Sequence, residues 1–260
     1  MIRKSLGLIT AFGLSSFSVV FANPAVGGSP VREARTLTLN QMTVEGAPSW
    51  LTEARTQRVV ERIESKLEWD IRKIRVIFYR DRESFLKEFG VKDAAISAFA
   101  RKKDMSVHMG PGVDSNDFDG VFGHELSHVI SYQKYKEAIP QWLEEGLANL
   151  VSRNGKPNYS WLAQQSALPV VKQMGHPFQA VSQGKGSPDS VRLHYEASHA
   201  LAELLKTKCG LHDLLQLSTG SSVEKYIATL CGIRDIDAAL RDWVSRKSQS
   251  GKEVKNVTSP

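Results

Sequence analysis

The apolar positions of this chain change period several times, and each change marks an element. Leu37 to Val44 alternates and reads as one β-strand, broken by Gly46 and Pro48. Ser49 or Thr52 can cap a helix reaching about Trp69, with Ala54, Val59, Ile63 and Leu67 along one face. Ile74 to Tyr79, I-R-V-I-F-Y, is the strongest strand pattern. Asp81 caps a short helix carrying Phe85, Leu86 and Phe89, and Gly90 ends it. Asp104 to Met109 is short and alternating, so it reads as a strand at a sheet edge. Val121 to Ile130 is apolar around a polar triplet and uninterrupted after Gly123, which predicts a buried helix with Asp117 and Asp119 at its cap and first turn. Pro140 opens the next helix, I-P-Q-W-L-E-E-G-L-A-N-L-V. Beyond it, Leu168 to Met174 reads as a short turn of helix and Ser182 to Pro188 as a Gly/Ser-rich loop. A long helix follows from about Asp189 to Lys206, with Leu193, Ala197, Ala200, Leu201 and Leu204 facing the core. Leu211 to Leu217, Val223 to Leu230 and Ile236 to Val244 complete a helical lobe. These elements predict an α+β fold, a small mixed sheet whose edge strand precedes the buried helix, followed by a mostly helical C-terminal part.

Composition adds limits. At 260 residues, 41% hydrophobic and 24% charged, the chain can bury one sizeable core. Residues 1–22 stand apart: Arg3 and Lys4 precede an uncharged apolar run from Leu6 to Phe21, and Val20 and Ala22 supply small residues before a cut after Ala22. This is the pattern of a cleaved secretory signal, too short and too broken by Gly and Ser for an anchor. It predicts a secreted or periplasmic protein with no stable membrane insertion after cleavage. Residues 23–36 read as a flexible leader, 37–247 as one domain and 248–260 as a disordered tail. No Lys/Arg tract interleaved with aromatics is present, so nucleic acid is not an expected partner. Cys209 and Cys231, an isolated pair in an exported chain, are expected to bond, which would add roughly 3 kcal/mol. The sequons at Asn158 and Asn256 are discounted because the leader is of bacterial type. Acids in G-P-G-V-D-S-N-D-F-D-G invite a calcium reading, but Phe118 stands where a calcium loop needs Asp or Asn.

The candidate chemistry lies in V-F-G-H-E-L-S-H-V-I. On a helix His124 and His128 share a face, where two imidazoles can grip one Zn²⁺ ion and Glu125 projects beside it. A third ligand is needed. The pattern ending in Gly and a third His fails at Ser131 and Lys134. The following helix offers the adjacent acids Glu144 and Glu145. Gly146, without a side chain, allows this helix to approach the first closely.

G-H-E-L-S-H-V followed by W-L-E-E-G-L-A resembles the gluzincin metallopeptidases, especially the small peptidase MA-like domains of bacteria. In order of elements the resemblance spans Leu37 to Val244, but only these two motifs are specific. It implies a zincin-like fold with one Zn²⁺ per chain, held by His124, His128 and Glu145 rather than Glu144. It implies Glu125 as general base toward an activated water, and a peptide or protein substrate paired with the edge strand at Asp104 to Met109. Asn149 matches the position that steadies a ligand imidazole, with an amide where gluzincins often have an acid. Tyr195, with His194 as runner-up, matches the donor to the oxyanion. His108, His176, His199 and His212 are isolated and read as surface or satisfied core histidines. Two other readings are kept: a non-catalytic zinc-stabilised peptide-binding module, and a zinc hydrolase of cell-wall amides.

Overall fold

The computed structural model describes residues 35–90, 96–152, 155–175, 187–210 and 223–257. The signal segment, nearly all of the leader, His176, His212, the predicted Leu211–Leu217 helix and nearly all of the Ser182–Pro188 loop lie outside the described residues.

The fold is α+β, with one mixed sheet of five strands in the order β1-β2-β3-β5-β4. The segment read as one strand is a hairpin: β1, Arg35–Leu39, pairs antiparallel with β2, Met42–Ala47, around a turn at Asn40 and Gln41. The reason is parity. Leu37 and Leu39 share one face, but Met42 and Val44 fall on the other phase of the alternation, which a straight strand cannot reconcile. β2 runs parallel to β3, Ile74–Phe78, and β3 runs parallel to β5, Ser106–Met109.

The expectation for Asp104 to Met109 is corrected here. β5 lies inside the sheet, and the terminal strand is β4, Ala98–Arg101, antiparallel to it. The polar alternation of S-V-H-M suggested a half-exposed edge, yet all four residues are buried. Ser106 and His108 satisfy each other beneath Tyr79 and Phe99, so polarity here does not mean solvent.

Helix α1, Glu53–Leu67, starts at Thr52, whose side chain accepts from the Arg55 N–H. Val59, Val60, Ile63 and Leu67 are buried along it, whereas Ala54 is exposed. Helix α2, Arg82–Phe89, starts at Asp81 and ends at Gly90, where φ is 86°. Its Phe85 and Leu86 pack with Ile96 and Phe99 in a small cluster separate from the main core.

The remaining helices are α3, Phe118–Tyr135; α4, Gln141–Ser152; the single turn α5, Tyr159–Leu162; α6, Pro188–Cys209; α7, Val223–Leu230; and α8, Ile236–Val257. Helix α8 continues past Val244 through most of the segment read as disordered, because Ser248 still packs inward and no proline interrupts the run. Cys209 and Cys231 are joined by a disulfide that links the end of α6 to the residue after α7. Among the described residues, no helix is long and apolar enough to cross a membrane.

Candidate metal centre

Helix α3 runs through the interior, and every residue from Val121 to Ser131 is buried. It packs against α1, α4, β4 and β5, so no face is left to water. His124 and His128 lie one turn apart with ring centroids separated by 4.9 Å. Helix α4 brings Glu145 to them: its Oε2 is 3.5 Å from His124 Nε2 and 3.7 Å from His128 Nε2. Around a tetrahedral zinc the ligand atoms are about 3.4 Å apart, as follows from bond lengths near 2.0–2.1 Å. The three residues can therefore hold a metal ion, with all candidate ligand atoms within 4.8 Å of one another.

Gly146 sets the depth of α4, though not against the helix expected. A Cβ there would lie 2.2 Å from the Ser198 carbonyl oxygen and 3.0 Å from the Ala202 Cβ, both on α6. The missing side chain lets α4 sit down on α6, and Glu145 is presented to α3 from that platform.

Glu144 is not spare. Its Oε1 accepts from His128 Nδ1 at 3.0 Å, and Lys102 Nζ lies 2.9 Å from each of its two oxygens. Lys102 is buried and begins the turn that directly follows β4. Burial alone would raise the Glu144 pKa, but the His128 hydrogen bond and the Lys102 ammonium outweigh it and hold the carboxyl well below the usual range. Burial pushes His128 down, toward the neutral form that can act as a ligand.

The expectation that Asn149 steadies an imidazole is corrected. Its amide is buried, but neither its oxygen nor its nitrogen has a hydrogen-bond partner among the described residues. Glu144 has that role for His128. The sequence held a signal for it: when only one of two adjacent buried acids can be the ligand, the other needs a partner of its own.

Charge bookkeeping tests the fit of an ion. Among the described residues the buried acids are Glu125, Glu144 and Glu145, and the one buried Lys or Arg is Lys102. With the histidines neutral, three carboxylates against one ammonium leave two negative charges in a water-poor interior. A divalent cation cancels them, and the donor set of two imidazoles and a carboxylate suits zinc. Without one, strain shows at Glu125, where burial and then the neighbouring Glu145 push the carboxyl well above its usual range.

Glu125 is fully buried beside the ligands yet outside the ligand triangle, and the backbone of Ala100 on β4 faces its carboxyl. Tyr195 is buried on α6, with its ring edge-on to His124 at 6.2 Å between centroids. His194 sits next to it, 6.5 Å between ring centroids, held near a pKa of about 4 by burial. His199 is buried one turn further along α6. His108 is remote in role: Tyr79 Oη and Ser106 Oγ lie 2.8 and 2.9 Å from its two ring nitrogens, and Phe99 stacks on it. In the loop read against calcium, Asp114 and Asp117 accept from each other's backbone N–H groups, and Asp119 pairs with Arg55.

No family model matches the sequence, and no curated protein matches it.

Proposed function

We propose that this chain is a secreted zinc metallopeptidase that hydrolyses peptide bonds. The observation that carries the reading is Glu125, a fully buried carboxylate next to the three-donor cluster that is not one of its ligands. A purely structural zinc site has no use for an extra buried acid, whereas hydrolysis needs a base in that position. His124, His128 and Glu145 would hold the zinc, which when bound supplies a Lewis acid toward water and a substrate carbonyl. Glu125 takes the proton of the attacking water and hands it to the departing amine. Tyr195, edge-on to His124, is the group that donates to the developing oxyanion. An extended substrate would pair with β4, since β5 is flanked on both sides. The leader pattern and the Cys209–Cys231 bond support an oxidising compartment outside the cytoplasm.

One observation favours the non-catalytic module. Glu125, His128 and Glu145 have no exposed surface, so the site as it stands admits no substrate.

Glu125→Gln separates the two. The variant keeps the shape and a hydrogen bond but cannot take a proton, so zinc content should survive while cleavage of a broad peptide library falls by roughly 10²-fold or more. A chelator should abolish the wild-type activity and added zinc restore it. Equal cleavage by wild type and variant would assign the activity elsewhere. Zinc and peptide binding by both, with cleavage by neither, would establish the binding module.

A further inference from the structure

We infer that Lys102 and Glu144 form a positioning couple that sets the tautomer and aim of His128 from the end of strand β4. The inference rests on reading His128 as a metal ligand.

The geometry is specific. An ionised carboxylate only accepts hydrogen bonds, so the proton between Glu144 Oε1 and His128 Nδ1, 3.0 Å apart, belongs to the imidazole. Nδ1–H leaves a lone pair on Nε2, the nitrogen that faces Glu145 Oε2 at 3.7 Å. The opposite tautomer would point a hydrogen at the ion. A glutamate side chain alone has several rotamers. Lys102 removes that freedom by holding both oxygens at 2.9 Å. It also keeps the carboxylate away from the donor cluster, where Glu144 could otherwise compete with its neighbour Glu145.

A buried ion pair kept for stability alone is a weak device, since apolar residues of similar volume often serve as well. This pair ends on a ligand nitrogen, and partners that orient ligand imidazoles commonly account for 10–100-fold in metal affinity. Its origin adds a second link. Lys102 lies two residues after Ala100, whose backbone faces Glu125. One strand end therefore touches both the candidate base and, through Glu144, a candidate ligand.

The test begins with metal-free wild-type protein, labelled with ¹⁵N. Two-bond ¹H–¹⁵N correlation should show His128 as the Nδ1–H tautomer, and observing Nε2–H would overturn the inference with no variant needed. Lys102→Met, Lys102→Gln and Glu144→Gln should each mix the tautomers and weaken zinc in chelator competition by about 10–100-fold. Lys102→Gln keeps a neutral donor in case the methionine variant fails to fold. Combining Lys102→Met with Glu144→Gln should cost no more than about twofold beyond the worse single change, as for groups acting through one path. Wild-type affinity with an unchanged Nδ1–H in the Lys102 variants would reduce the pair to a structural ion pair. Tighter zinc binding would mean that the lysine acts only as a like charge on the cation, which also overturns the couple. If wild type shows Nδ1–H but takes up no zinc, the couple stands and the metallopeptidase reading falls.

Discussion

Two buried histidine sites in this molecule were built to opposite ends. In the sheet, His108 is enclosed by Tyr79, Ser106 and Phe99, and both ring nitrogens have hydroxyl partners. No buried acid lies in that shell, and burial lowers the His108 pKa to about 4. Between α3 and α4, His124 and His128 are enclosed as completely, but by three carboxylates and one lysine. The first site is complete with neutral partners. The second balances only when something with two positive charges enters. Burial of a histidine therefore says little about function, and the uncancelled charge around it says much more.

The strongest way to break the comparison is to remove one member from each site. His124→Ala or Glu145→Ala should abolish zinc binding, measured as metal per chain after dialysis. His108→Gln, the same residue type lost from the sheet, should leave about one zinc per chain. Retention of zinc by Glu145→Ala would mean that Glu144 is the ligand and the helix site was misassigned.

A pH titration sharpens the same contrast. His108 has a folded pKa of about 4 against the ordinary 6.5, so the folded state favours its neutral form. The sign follows: its contribution is full above about pH 6.5 and is lost as pH falls toward 4, by an amount of the order of 3 kcal/mol. Urea midpoints measured across that window should fall for wild type and fall less for His108→Gln. Equal slopes would show that His108 is not held neutral by its neighbours.

The smallest effects concern how the helix site is held. Gly146→Ala would force a Cβ onto the Ser198 carbonyl and should destabilise by about 1–3 kcal/mol, with looser zinc because Glu145 moves with the backbone. Gly120→Ala, on α3 with nothing within 4 Å of the new Cβ, should be neutral or stabilise by up to about 1 kcal/mol. Thermal midpoints of the two variants, with zinc affinity for the first, check both. A harmless Gly146→Ala would mean that α4 does not depend on this close approach.

Much of the helical part was legible because its signals are local. Thr52, Asp81 and Gly90 mark helix ends by their own side chain or lack of one, and the structure uses each in that way. The sheet was less legible. Its hairpin was hidden in a parity slip between Leu39 and Met42, and β5 looked like an edge because Ser106 and His108 are polar yet mutually satisfied. Asn149 was expected beside a ligand by position alone, while Glu144 took that place through a contact no spacing rule contains.

The sequence by itself determined that His124 and His128 share a helix face with Glu125 between them, and that a Glu-Glu-Gly helix follows. The α-helical repeat makes positions four apart coincide whatever surrounds them. Only the tertiary structure decided that Glu145 meets both imidazoles, that Glu144 turns to His128 and Lys102, and that Gly146 rests on α6 rather than α3. Those contacts join residues on separate elements, and their geometry follows from how the helices and strand ends pack around one core, which local periodicity does not encode.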